Sequence, residues 1–124
     1  MDLAWDERDF PLVRIGPMHR RGTALAELRA GMTRLFERER PFVAVLVAPT
    51  LAFEPAEIQA HRRWLETAAP DYRAWCRGIA YVLEDAATRL RFRGITVGTI
   101  IPAPYEVFDR LEPAERWARA QLES

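Results

Sequence analysis

The stretch Pro41-Phe42-Val43-Ala44-Val45-Leu46-Val47-Ala48-Pro49 decides the fold of this chain. All seven residues between the two prolines are apolar, and three of them are valine. An apolar run without polar alternation is typical of a strand that is covered on both faces, as in a parallel sheet. The sequence therefore predicts a central strand over 42–48, which ends where Pro49 cannot donate to the strand ladder.

Helices are predicted on both sides of this strand. Apolar residues recur at helical spacing over 23–40, although Gly31 costs about 1 kcal/mol relative to alanine inside a helix. The apolar stripe of this helix consists of Leu25, Leu28, Met32, Leu35 and Phe36. A second helix begins near Pro55, because proline fits the first helical turn. Pro70 is expected to kink or break that helix.

The remaining elements complete a single α/β domain over 1–124. Further strands are predicted at 12–15, 79–83 and 105–108, and a terminal helix at 113–122. Residues 1–11 show no period and are interpreted as a lead-in segment. The segment 86–101 is ambiguous, since 95–101 has strand propensity while the whole segment also fits a helix that begins after the capping residue Asp85.

The order of elements resembles the STAS-like, SpoIIAA-like family, which is also compared with lipid-binding SEC14 domains. The resemblance covers roughly 10–122 and depends on pattern and length. It is carried by the segments Arg40-Pro41-Phe42-Val43-Ala44-Val45-Leu46-Val47, Arg62-Arg63-Trp64-Leu65, Cys76-Arg77-Gly78-Ile79-Ala80-Tyr81-Val82, Val107-Phe108-Asp109-Arg110-Leu111-Glu112 and Ala114-Glu115-Arg116-Trp117-Ala118.

The resemblance implies a mixed four-stranded sheet covered by about four helices, with 86–101 helical. Anti-sigma-antagonist relatives carry a phosphorylated serine in an Asp-x-Ser setting after the central strand. Here the corresponding residues are Ala48-Pro49-Thr50, and the only serine of the chain is Ser124. Thr50 is therefore the one candidate phosphate acceptor at this position, without the family's aspartate.

Composition and charge favour a cytoplasmic protein that binds neither nucleic acid nor a membrane. Eighteen arginines balance eighteen acidic residues, and no apolar run approaches the length of a membrane span. Catalytic candidates are limited to Cys76, His19 and His61, for which packed or surface positions are the favoured interpretation. With one cysteine and two histidines, no metal or other cofactor is predicted.

The surplus of apolar residues in 86–101 motivates the functional hypothesis. On a helix, one side is expected to pack on the sheet, and its residues are Ala87, Leu90, Gly94, Val97 and Ile101. The opposite side is then predicted to be an interface or ligand-binding surface, unless Trp5 and Phe10 fold over it. Its residues are Thr88, Phe92, Ile95 and Thr99.

The resulting prediction is a non-enzymatic STAS-like regulatory module that associates with itself, as a dimer, or with a protein partner through 86–101. The alternative is a SEC14-like carrier of a lipid or small apolar ligand, with a pocket lined by Phe92, Ile95 and aromatic residues such as Trp64. A third possibility is an enzyme that uses Cys76 or His61.

Overall fold

A computed structural model of the chain describes residues 4–17, 24–48, 54–96 and 101–123. Within these ranges the elements, in chain order, are β1 (Trp5–Asp6), β2 (Leu12–Ile15), α1 (Ala24–Glu37), β3 (Phe42–Val47), α2 (Pro55–Trp75), β4 (Cys76–Val82), α3 (Ala86–Thr96), β5 (Tyr105–Phe108) and α4 (Leu111–Leu122). The predicted α/β class is confirmed. The predicted count of four strands is wrong, because part of the expected lead-in forms the additional strand β1.

The five strands form one mixed sheet in the order β1-β2-β3-β4-β5. Strand β1 is antiparallel to β2, whereas β2, β3, β4 and β5 run parallel to their neighbours. Crossover connections between parallel strands are nearly always right-handed. Since successive strands here are also neighbours, right-handed crossovers place α1, α2 and α3 on the same face of the sheet.

The two faces of the sheet carry separate cores, and β3 contributes to both. Phe42, Ala44 and Leu46 belong to the larger core, which the sheet shares with α1, α2 and α3. The alternate residues Val43 and Val45 belong to a smaller core with Ala114 and Ala118 of α4. The uninterrupted apolar run of β3 is therefore explained by burial on both sides.

A polar cluster holds α4 to the sheet beside the smaller core. The guanidinium of Arg14 on β2 donates from Nε to Glu115 Oε2 at 2.7 Å and from Nη2 to Glu115 Oε1 at 3.0 Å. Arg14 also pairs with Asp9. The hydrogen bonds from Arg14 keep the pKa of Glu115 below its usual range. This bidentate pair joins two elements that are a hundred residues apart in sequence.

Helix α2 differs from its predicted form. It continues from Pro55 to Trp75 through Pro70, so the predicted break at that proline is wrong. Proline removes one hydrogen bond from a helix, but packing on both sides of it can compensate for that loss. Ala68 and Tyr72 are both buried on either side of the exposed Pro70, and they keep this part of α2 on the core.

The N-terminal aromatic residues pack on α1 and not on α3. The Trp5 ring lies directly against Gly31, where a side-chain Cβ would overlap the indole. Phe10 lies under the guanidinium of Arg38, which is 3.7 Å from the ring centroid. The alternative in which Trp5 and Phe10 cover 86–101 is therefore wrong for the part of that segment whose side chains are described, 86–94. Gly31 is tolerated inside α1 because it makes room for the indole that extends from β1.

We expect Gly31→Ala to destabilise the protein by about 1–3 kcal/mol, because the overlap with Trp5 outweighs the gain in helix propensity. Gly94 in α3 provides the matched control, since a Cβ there would meet no heavy atom within 4 Å. Gly94→Ala should raise the free energy of unfolding by up to about 1 kcal/mol. Urea denaturation of both variants measures the difference, and equal effects would contradict the role assigned to Trp5.

Candidate functional site

Helix α3 is fixed at its start by the predicted capping residue. The Asp85 carboxylate accepts hydrogen bonds from the backbone N–H of Thr88 at 3.1 Å and from the Thr88 hydroxyl at 3.2 Å. This is the geometry of a helix N-cap, which satisfies a backbone donor that has no partner within the helix. The helical interpretation of 86–101 is therefore confirmed over Ala86–Thr96.

Three aromatic rings fasten α3 to the sheet. The ring of Phe92 lies 4.6 Å from that of Tyr81 on β4 and 6.2 Å from that of Tyr105 on β5, measured between centroids. The two tyrosine rings are themselves 6.1 Å apart in an edge-to-face arrangement. Aromatic pairs in such geometries add to the energy of apolar burial. Phe92 is accordingly only 7% exposed.

The predicted orientation of α3 is wrong. Thr88 and Phe92 lie on the buried side of the helix, with Thr88 only 6% exposed, whereas Leu90 on the opposite side is 70% exposed. Phe92 takes the core position in preference to Leu90, because its ring packs against the rings of Tyr81 and Tyr105. Ala87 and Gly94 are exposed together with Leu90.

The other predicted site residues are not described. Thr50 and Thr99 lie outside the described residues, and so does the side chain of Ile95, although its backbone belongs to α3. Their predicted roles stay predictions.

Cys76 is a buried thiol at the first position of β4. It is 3% exposed, and its Sγ lies 3.6 Å from the carbonyl oxygen of Gly78. Burial raises the pKa of the thiol to about 12. At neutral pH the group is therefore the protonated thiol, which is a poor nucleophile. The expectation of a packed thiol agrees with this burial.

His61 on α2 lines a small cavity between the sheet and the two helices α1 and α2. The cavity has a volume of about 40 Å³, and Tyr72, Tyr81 and Ile101 are among its other lining residues. The Nδ1 atom of His61 is buried without a hydrogen-bond partner. Its ring stacks on Trp64 with the two centroids 5.7 Å apart.

The surroundings of His61 favour the neutral imidazole. Burial and, secondarily, the charge of nearby Arg29 lower the pKa of His61 to about 4. Burial also raises the pKa of Tyr72 and that of Tyr81 above the usual tyrosine range. The polar groups around the cavity are therefore uncharged at neutral pH, which suits a water molecule or a neutral ligand better than an ion.

Two open grooves lie on the surface. The first, of about 590 Å³, runs between α3, β5 and the beginning of α4. Its arginines include Arg89, whose Nη1 donates to the carbonyl oxygens of Leu83 at 2.7 Å and Glu84 at 3.0 Å. Arg110, on the same groove, lies 3.8 Å from Asp109. Much of the charge in this groove is thus already compensated.

The second groove, of about 470 Å³, runs between the C-terminal halves of α1 and α2. We call it the acidic groove, because Glu37, Glu39 and Asp71 line it together with Trp64 and Trp75. The sequence did not single out this site, since its residues come from two helices that only the fold brings together. The one sequence signal that points to this groove is a pair of tryptophans, Trp64 and Trp75, within a stretch of 12 residues in α2.

Within the described ranges, no group of three or more histidine, cysteine or acidic side chains is arranged to hold a metal ion. The same part of the chain contains no helix whose length and apolar character would allow it to cross a membrane. Comparison with family models, curated proteins and solved structures finds no match for this chain. The STAS-like resemblance therefore stays a prediction.

The low pKa of His61 makes stability depend on pH. In the unfolded chain the imidazole titrates near 6.5, whereas in the folded protein it titrates near 4. The unfolded state therefore binds the proton first as the pH falls. We expect the free energy of unfolding to fall by up to about 3 kcal/mol from this residue alone as the pH drops through that interval.

Urea denaturation at a series of pH values measures this effect in the wild type and in His61→Leu. His61→Leu should lack the part of the decrease in the free energy of unfolding that comes from His61. His19→Gln, which removes the only other histidine, serves as the control. If His61→Leu and the wild type lose stability in parallel below pH 6.5, the buried neutral state of His61 is wrong.

Proposed function

We propose that this chain is a non-enzymatic STAS-like regulatory module of the cytoplasm, which associates with itself through α3. The observation that carries the proposal is the outer side of that helix. Leu90 is 70% exposed there. Arg91, beside it, is exposed and has no ion pair within the residues that the structure describes. Arginine is enriched at protein contacts, and an exposed leucine adds apolar area to such a contact.

The states of the two described catalytic candidates also favour a binding role over catalysis, whereas His19 lies outside the described residues. The Cys76 thiol is buried and protonated, and it has no activating base among its hydrogen-bond partners. His61 is neutral, and its Nδ1 is not oriented by a carboxylate. Nucleophilic catalysis needs an activated nucleophile beside a base, and neither side chain supplies that pair.

The contact surface differs from the one predicted from sequence. Phe92 is buried against Tyr81 and Tyr105, so Phe92→Arg would damage the fold before it tested an interface. Leu90 is the better probe, because its side chain can be changed with little loss of internal packing.

We expect Leu90→Asp to abolish self-association while leaving the fold intact, because it places a charge at the centre of the contact. Light scattering behind a sizing column measures the molar mass at matched concentrations. Leu111→Asp is the matched control, since Leu111 is also an exposed leucine, at 45%, and lies on α4. A wild type that is monomeric throughout, or a Leu90→Asp variant that assembles like the wild type, contradicts the proposal.

The second candidate function is a carrier of a small apolar ligand, which the cavity beside His61 favours. Neither Phe92 nor Trp64 is among its lining residues, so this cavity differs from the pocket predicted from sequence. A volume of about 40 Å³ corresponds to a few water molecules at most. A lipid chain would therefore enter only if the helices separated from the sheet.

This candidate predicts a co-purified small molecule or the uptake of a fluorescent fatty acid by the wild-type protein. Ala44 lies on β3 and lines the cavity, so Ala44→Val should fill the space and prevent the uptake. Native mass spectrometry and fluorescence titration measure both effects. The carrier function is wrong if the wild type carries no bound mass and takes up no fatty acid.

A further inference from the structure

The acidic groove combines aromatic rings with carboxylates. Trp64 and Trp75 are half-buried in it, and Phe36 is buried beneath. Glu37, Glu39 and Asp71 are exposed around these rings. The groove thus presents indole rings and negative charge to the same occupant.

The three carboxylates are not compensated by the chain itself. Within the described ranges, none of them takes part in an ion pair or accepts a side-chain hydrogen bond. The two arginines that follow α1, Arg38 and Arg40, contact residues outside the groove. Arg38 pairs with Glu7 at 2.5 Å, and Arg40 lies over the ring of Phe10.

A guanidinium group matches this lining. Its planar face stacks on indole rings through cation–π attraction, while its N–H groups donate to carboxylates in a fork. An ammonium group would use the charge but would lose the stacking and the bidentate geometry. The chemistry of the groove therefore selects an arginine side chain that is presented together with apolar surface.

The outer side of α3 carries such an arginine. Arg91 is exposed and forms no ion pair with any residue that the structure describes, and the preceding residue, Leu90, is the most exposed large apolar residue described. Helix α3 contains three arginines and no acidic residue. A symmetric contact between two copies of α3 would bring these like charges together, because a two-fold interface pairs the same surface patch with itself.

We propose that the acidic groove of one copy receives Arg91 and Leu90 of α3 from a second copy, in a head-to-tail contact. This inference rests on the proposed self-association through α3 and names its counter-surface. Because the two surfaces lie on different helices, one copy keeps a free α3 and the other copy keeps a free groove after one contact has formed. The same two copies can use these free surfaces on each other and close a two-fold dimer, or further copies can add to form a ring or an open chain.

Two single substitutions test the contact from its two sides. Arg91→Glu removes the arginine, and Asp71→Arg reverses a charge in the groove. Each variant should weaken assembly by about tenfold or more, because it places like charges in the contact. Glu66→Arg is the matched control, since Glu66 is exposed on the same helix as Asp71 but does not line the groove. Circular dichroism and thermal unfolding verify that each variant is folded.

Mixing the two variants gives the decisive measurement. Arg91→Glu retains an intact groove, and Asp71→Arg retains an intact α3. An equimolar mixture should therefore assemble through the intact pairing of α3 and groove at concentrations at which neither variant assembles alone. Light scattering behind a sizing column measures the mass of the mixture and of each variant alone.

The possible failures separate the two proposals. If the wild type assembles and Leu90→Asp blocks assembly, but Asp71→Arg behaves like Glu66→Arg, self-association stands and the groove is not its counter-surface. A mixture that stays monomeric overturns the contact between α3 and the acidic groove. A wild type that is monomeric throughout overturns the self-association as well as the contact that rests on it.

Discussion

The burial of β3 on both of its faces is the constraint on which the rest of the structure depends. A strand without polar positions needs one cover on each side, and right-handed connections between successive parallel strands supply only one of them. Helices α1, α2 and α3 all occupy that side. The other side is covered by α4, whose Ala114 and Ala118 pack on Val43 and Val45. Arg14 and Glu115 then fix the position of α4 across the sheet.

Much of this architecture could be predicted from local patterns. The runs at 42–48 and 79–83 and the alternation at 105–108 predict strands because their apolar residues match a sheet that is covered on one or both faces. Strand β1 could not be predicted in this way. Trp5 and Asp6 are too short a pair to show a period, and their pairing with β2 is made by the backbone. At Pro70 the local pattern predicted a helix break that the structure does not contain. Tertiary packing on both sides of Pro70 outweighs the single lost hydrogen bond.

The candidate site was harder to predict, for a physical reason. Helix α3 has apolar residues on two sides, and its sequence alone does not say which side faces the sheet. The side that faces the sheet is determined by Tyr81 on β4 and Tyr105 on β5, whose rings pack against the ring of Phe92. A local signal for the orientation did exist. Leu90 lies between the charged residues Arg89 and Arg91, whereas Thr88 donates its backbone N–H to the capping residue Asp85. The acidic groove depends on how α1 and α2 lie side by side, which no local pattern contains.

The edges of the sheet also bear on how copies of this protein meet. One edge is the two-residue strand β1 and the other is the four-residue strand β5. Edge strands expose unpaired backbone groups, and short ones offer little template for adding a strand from another molecule. Extension of the sheet between molecules is therefore disfavoured, and contacts formed by side chains on the helices have less competition from backbone pairing. The same feature protects a chain so rich in apolar strand sequence against amyloid-like aggregation.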